Sequence, residues 1–433
     1  MARDRVTAGR LRRFARLAAL GPRTGMQLAG HVLRRGEGDG ERIGETLFST
    51  LGDMKAGSLK VGQIMAQAAD GLPEGVRLRM GNLFSRAPAL SWDAVAAVIS
   101  SELGGEPDAL FTTIEREPFA GASLGQVHRA TLADGRIVAV KVQYPGVAEA
   151  LEHDLDLLRG LADTVGGGGL ILDTRVYFSA FRQETMDELD YRLEAEKQRR
   201  VAQLVAPWPQ LAVPTLVPEL CAQRVLTMDL FEGPTLYERF SSPGSIEERL
   251  ELGCQVVRAV FGPLFAGCVV NADAHPGNFV VLADGRLGLL DFGAVSALAP
   301  ERVRGIGDAL LALITPGAHD WEAVFAAAGF WISKPDAKSR KMLEEMAGAL
   351  ARPLSASTHF GRDSFLEEFG RIKQRHPMQL VRTRMDPAML GLFRAILGAY
   401  HALKHLEVEG DIRPVLREVV AAADVRDEPA VGV

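Results

Sequence analysis

The chain has 433 residues, 47% hydrophobic and 24% charged, with 49 Lys+Arg against 55 Asp+Glu for a net charge of −6. That composition builds cores and excludes wholesale disorder, its length suggests about three structural units at ~150 residues each, and the acid excess argues against general nucleic-acid binding. Cys221, Cys254 and Cys268 stand at spacings that make neither a disulfide framework nor a zinc site, and no apolar run approaches the ~18–20 residues of a membrane span, so a cytoplasmic protein is expected.

In chain order, residues 1–36 carry nine arginines against Asp4, a local +8 that leaves −14 on the remainder. Leu11, Phe14, Leu17 and Leu20 recur at three-residue steps between those arginines, an amphipathic basic pattern suited to peripheral contact with an anionic membrane. Ile43–Ala69 reads as helix, stopped by Gly71-Leu72-Pro73; a second helix is predicted over Trp92–Leu103 with Ser91 as N-cap. Residues 111–142 change to short β-branched runs with a hairpin turn at Asp134-Gly135. Val147–Val165 is helical again, Gly166–Gly169 is a break, and one long charged helix is expected over Thr174–Leu204. Strand-like runs follow at Thr215–Leu220 and Arg224–Leu230. From Thr235 onward the pattern is helical, except for a hairpin over Phe279–Asp291 that turns at Asp284-Gly285.

Three separated segments carry the chemistry. Asn271-Ala272-Asp273-Ala274-His275-Pro276-Gly277-Asn278 sets Asn278 five residues after Asp273, just before the second hairpin, and that hairpin ends in Asp291-Phe292-Gly293. Phosphoryl transfer of the kinase type needs a carboxylate beside the attacking group, an amide oxygen for one metal ion, and a carboxylate for the ions bridging the phosphates. Either segment alone is weak; the pair joined by apolar strands is strong. Upstream, Lys141 ends the strand run Val138-Ala139-Val140, where a lysine can hold the α- and β-phosphates and pair with a helix glutamate. Before it, Ala120-Gly121-Ala122-Ser123-Leu124-Gly125-Gln126-Val127 aligns with a phosphate-covering glycine loop, with methyl groups at two of the three glycine positions. Lys60, Gln63 and Gln67 share one helix face; Glu188 and Asp190 cannot point the same way on a regular helix, whereas Asp190 and Glu194 can.

Together these residues resemble the UbiB/AarF-like (ADCK-type) atypical kinase family, over about residues 45–300. By that resemblance Lys60–Gln63 is the KxGQ signature, Ala120–Val127 the alanine-rich nucleotide loop, Glu188-Leu189-Asp190 the ExD motif and Glu194 the helix partner of Lys141. Asp273 then orients the acceptor, and Asn278 with Asp291 binds metal. The resemblance implies an α+β, protein-kinase-like two-lobe fold: a basic arm (1–40), an N-terminal helical extension (41–110), a sheet lobe with an inserted helix (111–232), and a helical lobe with extra C-terminal helices (233–433). It also implies ATP with Mg2+ or Mn2+, a small-molecule or lipid acceptor, and a role in isoprenoid-quinone or lipid metabolism.

Adenine would meet the backbone of the connection from Met228 through Leu230 to Gly233. Lys60 would reach over the cleft toward the acidic helix, which makes the N-terminal helices a gate. The family's catalytic loop begins with His where this chain has Asn271, which predicts looser anchoring of the loop. A small-molecule phosphotransferase of the antibiotic- or choline-kinase type leaves the Lys60–Gln63 and Glu188–Asp190 motifs unexplained. A nucleotide-binding scaffold with little turnover is opposed by intact Asp273, Asn278 and Asp291. His401 and His405 are read as a helix face.

Overall fold

The computed structural model describes residues 91–122, 124–149, 151–152, 155, 182–242 and 244–425. The basic arm and its membrane contact, Lys60 and Gln63, the Gly71-Leu72-Pro73 stop, Ser123 and the Gly166–Gly169 break lie outside them. The described residues form two compact units: one runs to Asp190 and takes back Ala222–Thr227, and the other comprises Tyr191–Cys221 and the chain from Met228.

In the first unit, helix α1 (Trp92–Leu103) starts at Ser91, whose carbonyl rather than hydroxyl accepts from the first-turn N–H groups of Ala94 and Val95. It stops at Gly104, which takes the left-handed conformation (φ 73°) that a glycine enters without Cβ strain. Five antiparallel strands follow: β1 (Thr113–Ile114), β2 (Ala120–Ala122), β3 (Gly125–Thr131), β4 (Ile137–Gln143) and β6 (Val225–Asp229). Their order is β1-β3-β4-β6, with β2 pairing on the β1 edge of β3. The β3–β4 register pairs Gln126 with Val142, His128 with Val140 and Ala130 with Val138, all buried, so one face of the hairpin is closed. Trp92 of α1 meets His128 edge-on there at 5.6 Å. The opposite face carries Val127 paired with Lys141, and Gly125 paired with Gln143.

The expected helix over Thr174–Leu204 is interrupted. Residues 182–187 are helical, Glu188 and Leu189 form a turn, and helix α2 begins at Tyr191 and ends at Val205. The Gln143 side chain donates to the Leu189 carbonyl at 3.1 Å, taking an acceptor that an unbroken helix would use. Glu188 and Asp190 therefore sit in a turn, and the helical restriction on their directions does not apply.

The second unit is built on α3 (Ile246–Gly267), which opens with a Ser245–Glu248 capping box and buries Leu252, Val256, Val260 and Leu264 along one stripe. The strand expected at Thr215–Leu220 is reduced to one bridge, Leu216 with Met228, because Pro214 and Pro218 lack the N–H a ladder needs. A two-residue strand, β5 (Leu211–Ala212), forms just before and runs parallel to β9 (Leu287–Leu289). The region beyond Thr235 is less purely helical than expected. Besides the predicted hairpin of β8 (Phe279–Val281) and β9, β7 (Val269–Asn271) pairs with β10 (Val295–Ala297). Two further short ladders join Phe330–Ile332 to Thr383–Met385 and Thr358–His359 to Glu409–Gly410.

Three elements are tied through Glu418 on the helix Arg413–Ala421, which accepts from Trp208 at 2.6 Å and from Arg258 of α3 at 2.9 and 3.0 Å. The Arg258 bonds hold the Glu418 carboxyl below its usual range. The stability it contributes is full above the ordinary carboxylate pKa and is lost as pH falls through the lowered one. Glu418→Gln is expected to flatten that acid limb of a stability-versus-pH curve; an unchanged limb would remove the tie from the account.

The helix Met389–His405 touches the loop after β7 at Gly398, where an added Cβ would lie 2.5 Å from the Ala274 carbonyl oxygen. Gly398→Ala gains about 1 kcal/mol of helix propensity but overpacks a rigid backbone at about 1–3 kcal/mol. Net destabilisation is expected, read as a lowered denaturation midpoint.

Candidate active site

Residues 269–297 form two nested ladders, β7–β10 outside and β8–β9 inside. The nesting sets the loop 272–278 against the segment 290–294. Hydrogen bonds cross between them, from Ala272 N–H to the Ala294 carbonyl at 3.0 Å and from Leu290 N–H to the Asn278 carbonyl at 3.0 Å. Asp273, Asn278 and Asp291 are thus brought together, as their sequence spacing predicts.

Side chains extend this into a continuous chain. Asn271 Nδ2 donates to the Asp291 carbonyl (2.7 Å), and Asn271 Oδ1 accepts from the Asp273 N–H (3.1 Å). Asn278 Nδ2 donates to the Asp273 carbonyl (3.2 Å), and Asp291 Oδ1 accepts from the Gly293 N–H (2.9 Å). The expectation of a loosened loop is therefore corrected. One planar amide offers a donor and an acceptor at once, and Asn271 uses both to anchor the loop on either side.

His275 N-caps the short turn Pro276–Asn278, its Nδ1 accepting from the Gly277 N–H at 3.1 Å. Its residue keeps an exposed edge, yet loss of water around the ring pushes the imidazole below its ordinary value; Asp273 pulls it up and His401 pushes it down. A neutral ring is also what the accepted hydrogen bond requires. Tyr237 lies roughly parallel to this ring at 6.4 Å. His401 is thus an electrostatic neighbour of the loop, beyond its reading as a helix face.

The connection predicted to meet adenine belongs to the same unit. Met228 is buried, and Gln198 of α2 donates to its sulfur at 3.7 Å and to the Pro214 carbonyl at 2.7 Å. Leu230 is partly exposed. Gly233 has φ 152°, and a Cβ there would collide with the Val281 carbonyl, so only glycine lets the connection run against β8. On α2, Glu194 is 2% exposed, and Lys197, three residues on, donates to the Gly293 carbonyl at 2.8 Å.

In the first unit, Ala120, Gly121 and Ala122 lie in extended β2, with Ala120 opposite Val127 and Ala122 opposite Gly125. Extended backbone accepts alanine without strain, so those methyls bear on what approaches the hairpin tip and not on folding. Lys141 is 7% exposed and shares its face with Gln143, whose amide holds the Leu189 carbonyl between buried Glu188 and Asp190. The Lys141 strand and the Glu188–Asp190 turn are thereby joined within this unit.

Asn278 and Asp291 suit a hard divalent cation. Each presents oxygen, and the Asn278 amide, its nitrogen committed to Asp273, turns Oδ1 the other way. Among the described residues no three His, Cys, Asp or Glu converge on a metal position. One carboxylate and one amide oxygen are the sparse set that magnesium takes when phosphates complete its shell.

Lys197, Gln143 and Gly398 escaped the sequence reading. Gly398 had a signal, a glycine inside a helix that marks close approach. Lys197 had only its three-residue step from Glu194.

The chain matches the ABC1 atypical kinase-like domain over residues 82–325. It is 31% identical over 350 residues to Rv0647c of Mycobacterium tuberculosis, covering 78% of this chain and 71% of that one. It is also 31% identical over 321 residues to the mitochondrial atypical kinase coq-8 of Caenorhabditis elegans, covering 68% of this chain and 41% of that one. Among solved structures, the Rv3197–erythromycin complex of Mycobacterium tuberculosis matches with a TM-score of 0.60 at 27% identity, covering 90% of this chain and 97% of that one.

Asn271→Ala removes two hydrogen bonds of about 0.5–1.5 kcal/mol each. A stability loss of about 1–3 kcal/mol is expected by chemical denaturation. An unchanged midpoint would show that the amide anchors nothing.

Proposed function

Because the chain belongs to the ABC1 atypical kinase-like family, we propose that it binds ATP with magnesium or manganese and transfers or hydrolyses the γ-phosphate. The observation that carries this reading is the hydrogen-bonded unit of Asp273, Asn278 and Asp291, held by Asn271 across two nested ladders. A divalent ion held by Asn278 and Asp291 would neutralise charge on the phosphates. Asp273 orients the acceptor hydroxyl or water. Lys141 takes the α- and β-phosphates, with Glu194 as its carboxylate partner. The hairpin of Ala120, Gly121, Ala122, Ser123, Gly125 and Val127 covers the phosphates, and the backbone at Met228 and Leu230 meets the base. Lys60 and Gln63, with Glu188 and Asp190, regulate access.

The acceptor is proposed to be a small molecule or lipid of isoprenoid-quinone or lipid metabolism, as the family resemblance suggests. No helix among the described residues is long and apolar enough to cross a membrane. Peripheral contact with anionic membrane through the basic N-terminus rests on the arginine-rich amphipathic pattern of residues 1–36. The scaffold reading draws no support from Asn271, which keeps the loop anchored.

ATP turnover of the purified protein, with and without phenolic head groups, tests the proposal. Asp291→Asn is expected to lower turnover at least about 100-fold while the fold stays intact, the size of loss that removing charge stabilisation from a transition state produces. Equal, near-zero rates for wild type and variant would favour the scaffold. Lipid and quinone extracts from cells with and without the gene would identify the pathway.

A further inference from the structure

We propose that Lys197 is the positioning residue for the divalent-ion site, holding the Asp291 segment in register from helix α2; this rests on the phosphoryl-transfer reading above. Lysine is seldom enclosed, and its usual partner is a carboxylate. Here the ammonium is partly buried and donates to a peptide carbonyl, that of Gly293, at 2.8 Å. A charged donor makes this a stronger bond than one between neutral groups.

Gly293 is fixed at both ends. Its carbonyl is held by Lys197, and its N–H donates to Asp291 Oδ1 at 2.9 Å. A glycine has no side chain to lock its backbone, so these two bonds set its conformation. Through them Lys197 sets the rotation of the Asp291 carboxylate, and with it the direction of the second oxygen. The Asp291 carbonyl is separately held by Asn271, so backbone and side chain of the metal-binding residue are fixed from opposite sides. Glu194 lies one helical turn before Lys197, so the same helix carries the buried glutamate and the tether to the metal segment.

Two effects of removing Lys197 have opposite signs. Loss of its positive charge reduces repulsion of a cation and would tighten metal binding. Loss of the tether frees Gly293 and lets the Asp291 carboxylate rotate, which weakens it. Groups that orient metal ligands typically change affinity by about 10–100-fold, and charge effects at a partly exposed position are screened, so the tether should win.

The test uses the full chain and Mn2+ binding followed by electron paramagnetic resonance, with a non-hydrolysable ATP analogue present. Lys197→Met, which keeps the stem and removes the donor, is expected to weaken Mn2+ about tenfold. Binding of the analogue without metal should stay within about twofold of wild type, and Lys197→Arg should recover most of the Mn2+ affinity, because it retains charge and donor. Unchanged or tighter Mn2+ binding in Lys197→Met overturns the proposal. Failure of a folded Lys197→Arg to recover also overturns it. If Lys197→Met does not fold, Lys197→Gln replaces it, with the same weakening expected and the same overturning results. A wild-type protein that binds no Mn2+ with the analogue present refutes the phosphoryl-transfer reading itself and this inference with it.

Discussion

The second unit's chemistry depends on the side-chain amide of Asn271. The nested ladders bring two segments alongside each other, but ladders fix only the backbone at their own pairs. Between β7 and β8, and between β9 and β10, the chain leaves the ladders where the functional residues stand. There Asn271 spans the gap, donating to one segment and accepting within the other. Asn278 carries the chain of bonds onward to the Asp273 carbonyl, and Gly293 carries it into the Asp291 carboxylate. A connected polar network of this kind rigidifies a site through the bonds its members share. Its bonds pass from one segment to the next, so losing the middle one would release both sides.

Local signals in the sequence specify structure where one residue dictates one geometry. Asp134-Gly135 and Asp284-Gly285 each make a hairpin turn with the glycine at positive φ, 86° and 83°. In both, the Asp carboxylate accepts from the backbone and guanidinium of the following arginine, Arg136 or Arg286. The five-residue step from Asp273 to Asn278, ahead of an apolar hairpin, located the loop for the same reason. The unbroken helix and the loosened loop fail on contacts distant in sequence, the strand at Thr215–Leu220 on the local chemistry of proline. Nothing near Leu189 shows that the amide of Gln143, 46 residues earlier, takes its carbonyl and lets the helix break. Pro214 and Pro218 carry a local signal against that strand, since neither has an N–H to donate to a ladder. Lys197 reads as one more charge on a charged helix until its partner 96 residues away is known.

The departure at Asn271 bears on whether such a chain has drifted from catalysis. A drifting site loses parts independently, because nothing holds them together once they are unused. Here Asn271 makes hydrogen bonds to both flanking segments, Asn278 has its nitrogen committed so that its oxygen is available, and Asp291 is held at carbonyl and carboxylate alike. Each of these bonds orients an oxygen more than it fills a core. Apolar packing in this unit is extensive without them, from Leu264 and Phe265 on α3 to Phe292 and Leu403, all buried. Beyond the about 1–3 kcal/mol that the two Asn271 bonds contribute, the arrangement supplies a fixed direction for the oxygen donors of two side chains.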